Sequence, residues 1–331
     1  MFFDFIFYLG SPQDWLNPAG PVASDQKDLF LFTLYICLAI FVIVGGFMLY
    51  SIIKFKAEPG DNEIPEQEHG NVKLEIGLMV VSAIILVIIA VPNVKLLYKL
   101  AEPPRGSNPL KVNVIGHQYW WEFEIPEYDV LTANELTIPT NRPIEFNVSS
   151  VDVIHSFWVP RLGGKVDAVP GHDNYLWFQA DEEGSYYGQC AELCGSSHAK
   201  MKFKVHATND EDFLKWVEHE ASPANLPTTE MAQEGKDLFL TKMCITCHAI
   251  KGYDVAVGIT GPNLSHFASR ETLAGMWVEN TEENLEAWMQ DPSKFKPDNI
   301  MSLQGPMYTN ENSALSSEEI RKIIAYLKEL Y

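Results

Sequence analysis

At 331 residues the chain is long enough for two or three domains. A formal net charge of −20 excludes the basic face that a nucleic-acid partner demands. It suits instead a surface that attracts cationic proteins. Five cysteines fall as two close pairs plus Cys37, which on an exported chain favours cofactor sites over a scattered disulfide framework.

Residues 1–24 open apolar (MFFDFIFYLG) and turn Pro- and Gly-rich. With no basic n-region and no long h-region, this is a poor match to a signal peptide. Leu29 to Ile53 holds no charge over 25 positions, enough to cross roughly 30 Å of hydrocarbon as a helix. A polar stretch rich in Glu, Asp and Pro follows from Glu58 to Lys73, and then a second apolar run of 19 residues from Ile76 to Val94. The pair predicts a transmembrane hairpin with spans at about 29–53 and 76–97, and Cys37 becomes a packing residue within it. Basic residues do not orient it: Lys54, Lys56 and Lys73 mark the short loop, while Lys95, Lys99, Arg105 and Lys111 follow the second span.

Pro103 to Pro109 is a linker of Pro, Gly, Ser and Asn. Beyond it, VNVIGHQYWWEFEIP, ELTIPTNRPIEFNVSS, VIHSFWVP, NYLWFQA, GSYYGQC and MKFKVHAT recur between turn signals, predicting a small antiparallel sandwich or barrel over about 108–207. Its last turn reads CAELCGSSHAKM. Cys190, Cys194, His198 and Met201 are soft donors of the kind that select copper. The four-residue spacing and the lack of a second cysteine pair disfavour a zinc knuckle, and a disulfide hairpin is the alternative. A short amphipathic helix (DEDFLKWVEHE) and ASPANLPTT occupy 208–228.

From Thr229 the pattern becomes helical: GKDLFLTKMCITCHAI, NLEAWMQDP and SSEEIRKIIAYLKEL, with a helix start at Ser316–Ser317. Cys244-Ile-Thr-Cys247-His248 is the C-x-x-C-H attachment motif of haem c, with His248 as the proximal ligand. A thioredoxin-like redox pair would need a βαβ setting, which is absent. A methionine on a downstream loop would complete the iron and raise its potential. Met301 is the first choice and Met307 the competitor, while Met276 and Met289 read as core residues of apolar helices. Pro262, in Gly261-Pro262-Asn263-Leu264, is placed to accept the His248 Nδ1–H. Covalent haem is attached only on the exported side, so both large domains are expected outside and the Glu/Pro loop inside.

Two spans, an aromatic run, a strand histidine in VDVIHSFWVPRLGGKVDAVPG, then GQCAELCGSSHAKM and a cytochrome c: this order resembles subunit II of a haem–copper cytochrome c oxidase fused to a C-terminal cytochrome c. The resemblance implies a multidomain membrane protein of the bacterial cell (inner) membrane with periplasmic soluble domains. Its parts are an N-terminal segment and two-helix transmembrane hairpin (1–107), an all-β cupredoxin-like sandwich (108–207), a linker (208–228) and an all-α class I cytochrome c domain (229–331). It implies a dinuclear copper centre, CuA, in which His155 and His198 each bind one copper, Cys190 and Cys194 bridge both, and Met201 and the Glu192 carbonyl are weak axial ligands. Taken alone, His155 would read as a core histidine. The Glu192 carboxylate would help hold magnesium shared with subunit I, and Glu75 would stand at the mouth of a proton path into that subunit.

Tyr119, Trp120 and Trp121 fall where the family carries electron-transfer aromatics, although the family's first is a tryptophan. Leu78 and Met79 likewise replace a usual Trp-Thr. A tethered haem domain would then receive electrons in place of Tyr119. The implied activity is electron input to a respiratory oxidase whose oxygen chemistry and proton pumping lie in subunit I. The implied partners are subunit I and the other oxidase subunits, a cytochrome c or quinol-oxidising complex as donor, and membrane lipid. A copper-containing nitric oxide reductase subunit, a membrane-anchored electron carrier and a quinol oxidase subunit with a vestigial metal site are the competing readings.

Overall fold

A computed structural model describes residues 12–56, 60 and 70–331. The apolar opening of the chain and most of the Glu/Pro loop lie outside the described residues. Residues 24–102 form one compact unit, and residues up to Ala23 together with 103–331 form another.

In the first unit, helix α1 (Pro21–Lys54) and helix α2 (Val72–Leu100) carry the charge-free runs, at mean hydropathies of 2.6 and 2.9. Asn71 caps α2 by accepting the Leu74 N–H at 3.2 Å, and Glu75 in its first turn complements the helix dipole. Pro92 sits inside α2 without ending it. Asp25, near the start of α1, pairs with Lys99, near the end of α2, at 2.6 Å, as an antiparallel hairpin requires.

The second unit opens on ten strands in two five-stranded sheets. The first has the order β3 (Val130–Ala133), β2 (Trp120–Ile125), β1 (Leu110–His117), β5 (Ile144–Ser150) and β8 (Asn174–Phe178). The second has β4 (Glu135–Pro139), β10 (Lys202–Thr208), β9 (Gly184–Cys190), β6 (His155–Trp158) and β7 (Lys165–Ala168). The strand alternation expected from sequence is clear in β2 and β5, where buried residues occupy every second position. An antiparallel sandwich was only part of the answer. β1–β5 and β4–β10 pair in parallel, because strands distant in sequence close each sheet, and local patterning does not encode that pairing. The two inner faces meet on Trp121, Phe123, Phe146, Phe157, Phe178 and Phe203, with Phe146 of the first sheet against Phe157 of the second at 5.3 Å. Burying each such ring contributes about 1.5–3 kcal/mol.

Helix α3 (Asp210–Ala221) buries Phe213 and Val217, and Phe213 meets Tyr128 of the strand body edge-on at 5.8 Å. Next comes a helical body built of α4 (Glu230–Thr241), α5 (Glu282–Gln290), α6 (Pro292–Phe295), α7 (Ile300–Gln304), α8 (Pro306–Thr309) and α9 (Ser317–Lys328). It is not purely helical: β11 (Thr272–Leu273) and β12 (Val278–Glu279) form a small hairpin. The all-α pattern missed it because each strand is two residues long. Met276 lies in its turn at φ 61°, not in a helix as expected, whereas Met289 is buried in α5.

Helices α4 and α9 pack on each other, with Phe239 against Tyr326 at 5.6 Å. α9 buries Ile320, Ile323, Ile324 and Leu327, a 3.6-residue stripe, and starts with a full capping box of Ser316 and Glu319. Ser316→Ala should cost about 1 kcal/mol, read as a roughly fivefold loss of hydrogen-exchange protection across α9. The Ser316 backbone N–H, followed by Lys242, holds the Glu319 carboxyl down at about 2, against an ordinary 4.5. Its contribution is therefore present above about pH 4.5 and lost as the pH falls toward 2.

The strand and helical bodies share a polar seam. Glu135 accepts hydrogen bonds from the Glu271 N–H at 3.0 Å, the Thr272 N–H at 2.9 Å and the Thr272 hydroxyl, while Lys204 pairs with Glu271 at 2.7 Å.

Candidate metal and haem centres

Two strands and one loop build the first centre. β6 begins on His155 and β9 ends on Cys190, and Phe157 pairs with Cys190, so His155 lies diagonally beside the thiol on the neighbouring strand. The chain then loops through Cys194 and a 3₁₀ turn at His198–Lys200 and returns at Met201, whose carbonyl accepts the Cys190 N–H at 2.9 Å. This closed loop brings the donors together. Cys190 Sγ and Cys194 Sγ lie 3.8 Å apart as free thiols. His155 Nδ1 is 3.9 Å from Cys190 Sγ, and His198 Nδ1 is 3.6 Å from Cys194 Sγ. Met201 Sδ is 3.9 Å from Cys194 Sγ, and the Glu192 carbonyl oxygen is 3.3 Å from Cys190 Sγ. His155, Cys190, Cys194 and Met201 are all buried. Two imidazoles, two thiols, a thioether and a carbonyl in one buried cluster fit copper by donor softness.

The two thiols are coupled: their Sγ–Sγ contact pushes Cys190 well below the ordinary range and, with burial, pushes Cys194 above it. Asp152 orients His155: its Oδ1 accepts from His155 Nε2 at 2.7 Å, leaving Nδ1 facing the thiol. Burial works against the Asp152 charge, but hydrogen bonds from His155 and from the Val153 and Gln118 backbone N–H groups outweigh it and hold the carboxyl below its usual range.

The second centre is a cleft with about 1390 Å³ of empty space, its open side included. A 3₁₀ turn at Cys244–Thr246 sets Cys244, Cys247 and His248 along its wall. His248 Nδ1–H donates to the Pro262 carbonyl at 2.8 Å, which leaves Nε2 for a metal, and burial holds the imidazole below its usual range and therefore neutral. Gly261 makes room for this ring, since a Cβ there would come within 2.6 Å of His248 Cε1. An apolar cleft with both cysteines and a fixed neutral histidine on its wall fits a covalently held haem. Met289, Met301 and Met307 all line it.

The cleft is lined by both bodies: Gln118, Tyr119 and Trp120 of the strand domain complete its wall. Tyr119, at the position where the resemblance places the first electron-transfer aromatic, is 5% exposed: its hydroxyl lies against Gly195 of the copper loop and its carbonyl accepts from Lys296 of the helical body. Trp120 stacks on His117 at 4.0 Å, while Trp121 is wholly buried with its ring edge-on to His155 at 5.9 Å. Gln118 Nε2 donates to the Cys194 carbonyl at 2.6 Å.

The loop carrying Met301 is tied to the copper loop. Ser197 Oγ donates to the Pro297 carbonyl at 2.7 Å, Lys200 Nζ to the Phe295 carbonyl at 2.5 Å, and Ser196 Oγ to Asp298. The Glu192 side chain is exposed beside the copper cluster, and Glu75 is exposed in the first turn of α2.

Sequence reasoning missed Asp152, Gln118 and Lys296. Asp152 stands three residues before His155, the one signal that could have marked it. Gln118 sits within the aromatic run, whereas Lys296 is a loop lysine two residues after Lys294 and carries no signal at all.

Residues 13–96 match the family described as cytochrome c oxidase subunit II, transmembrane domain, residues 130–208 its periplasmic domain, and residues 232–331 cytochrome c. The chain is 39% identical to cytochrome c oxidase subunit 2 of Alkalihalophilus pseudofirmus, over 95% of this chain and 90% of the relative. It is 35% identical to the Bacillus subtilis protein of the same name, over 95% and 91%. It is also 38% identical to quinol oxidase subunit 2 of Bacillus spizizenii, over 68% and 72%.

Proposed function

The chain belongs to the cytochrome c oxidase subunit II family and ends in a cytochrome c domain, and from that membership we propose that electrons from an external donor enter through haem c, pass to a dinuclear CuA centre and leave toward the haem of subunit I, where dioxygen is reduced with proton translocation. It is a membrane protein with two spans and an extracytoplasmic soluble portion, and a subunit of an oxidoreductase complex.

One observation carries the proposed order of transfer. The wall of the haem cleft includes Gln118, whose side chain donates to the Cys194 carbonyl at 2.6 Å, so one side chain reaches from the cleft to the proposed copper loop. Tyr119 is buried, which closes it to an external donor and favours the haem domain as the receiving surface. Copper held by His155, Cys190, Cys194 and His198 would supply one-electron exchange with little change in ligand positions. The protein's part is to keep those positions rigid. Asp152 sets the His155 ring, the Met201–Cys190 backbone bond closes the loop, and Ser196, Ser197 and Lys200 fix the distance to the haem loop. His155, Cys190, Cys194, His198, Met201 and the Glu192 carbonyl are the proposed copper ligands. Cys244, Cys247, His248 and Met301 are those proposed for haem c. The exposed Glu192 carboxylate is proposed to share magnesium with subunit I, and Glu75 to receive protons for it.

The test is rapid mixing of the fully reduced, purified complex with oxygen. The near-infrared copper band should return to its oxidised form before the haem c band does. Haem c oxidation that precedes copper oxidation would overturn the order. Turnover with oxygen and not with nitric oxide separates the oxidase from a reductase. The quinol oxidase relative makes quinol the competing donor, and a complex without copper that turns over on quinol would favour that alternative.

A further inference from the structure

Lys296 is unlike the other lysines of this chain. It is 3% exposed and lines the haem cleft. Among the described residues its only hydrogen-bond acceptor is the Tyr119 carbonyl of the strand domain, at 2.5 Å from Nζ. The Cys194 sulfur of the copper loop favours its charge and Lys200 opposes it, but no carboxylate among the described residues acts on it. Gly275 leaves the space the ammonium occupies, since a Cβ there would come within 2.7 Å of Nζ. A buried ammonium is normally paired, because the desolvation of an isolated charge is far larger than one neutral acceptor can offset. One carbonyl and the Cys194 sulfur are its only favourable partners among the described residues, and neither is a carboxylate, so its remaining donors are open to an anion from the cleft. The group that the cleft's two cysteines and histidine fit is a haem, which carries two carboxylates of its own.

We propose that Lys296 binds a propionate carboxylate of haem c at the seam of the two domains, so that one side chain fixes both the haem's orientation and the docking of its domain on the copper loop. This rests on the haem c reading above. Lys296 sits on the haem loop but bonds the copper domain's Tyr119, so a carboxylate on its remaining donors ties the cofactor to both. Arg270, also on the cleft wall, already donates to the Asn263 carbonyl at 2.5 Å and has Glu220 and Glu135 acting on it, so it is the less needy cation. Burial pushes the Lys296 ammonium down to about 7, and an ionised carboxylate beside it is what would keep it charged. Lys296 acts here as a positioning residue. Its positive charge on the cleft wall would also favour the reduced haem.

The test is a redox titration of the haem c band in the purified complex carrying Lys296→Gln, Lys296→Met or Lys296→Arg. Haem content is measured on the same samples, because Cys244 and Cys247 retain the haem covalently in every variant. The Gln and Met variants should lose about tenfold in the equilibrium constant for reduction, a fall of ~59 mV for one electron. Lys296→Arg should stay within about twofold of wild type, since it keeps the charge. In the Gln variant the propionate bands of the reduced-minus-oxidised infrared spectrum should also shift, which a merely structural lysine would not cause. Gln keeps a donor for Tyr119, which preserves the seam if Met disrupts it. An unchanged potential in haem-loaded Gln and Met variants would overturn the role of Lys296 alone. A wild-type protein that carries no covalent haem would overturn the haem reading as well.

Discussion

The complex carrying Cys190→Ser together with Cys194→Ser should retain its haem c spectrum and lose the near-infrared copper band entirely. The donors of the cluster converge on these two sulfurs: His155 and Glu192 approach Cys190, and His198 and Met201 approach Cys194. Serine hydroxyls are hard and remain protonated, so the remaining imidazoles and thioether lose the bridging charge that holds copper. Replacing a supporting residue should do less. Asp152→Asn leaves all six donors in place but weakens the contact that aims His155, which should lower copper affinity about 10–100-fold. In the double serine variant haem c should still be reduced by the donor but no longer reoxidised by oxygen at the wild-type rate. Retention of the copper band would remove the thiols from the site, and rapid haem c reoxidation without copper would route electrons elsewhere.

Met301→Leu should abolish the low-spin, methionine-ligated haem spectrum and lower the haem c potential on the order of 0.1–0.3 V, part of the roughly 0.8 V range that axial ligands span. Leucine fills similar space, so the effect isolates the thioether. Met301 lies in the first turn of α7, capped by Asn299, directly after the segment that Ser196, Ser197 and Lys200 bind. Anchoring that segment to the copper loop would hold a ligand methionine still. Met307 and Met289 share the cleft wall. Met307→Leu and Met289→Leu should therefore keep the spectrum, and an unchanged spectrum in Met301→Leu would move the ligand to Met307.

Much of the architecture is written in local patterns. The charge-free runs specify two membrane-length helices because hydrocarbon admits no unpaired charge, and CITCH names its chemistry by spacing alone. The α9 capping box and its apolar stripe follow the same logic within four residues. Local pattern fails where an element is too short or its partner too distant. The β11–β12 hairpin, which holds Met276, has no periodicity to detect, and the parallel pairing of β1 with β5 joins residues more than thirty positions apart.

The copper cluster shows the division most clearly. Cys190, Cys194, His198 and Met201 are legible in CAELCGSSHAKM because one loop contains them all, whereas His155 needed the family's pattern to stand out from a core histidine. What only the tertiary structure decided is the seam: Gln118 reaching Cys194 from the wall of the haem cleft, Tyr119 covered, and Lys296 buried against it without a carboxylate. Lys296 has no distinctive neighbour in the chain, and the aromatic run around Gln118 and Tyr119 does not say what packs against it. Their significance comes from burial and from contacts made between two domains, so the physics that marks them, the cost of an unpaired charge and the distance between two sites, exists only after folding.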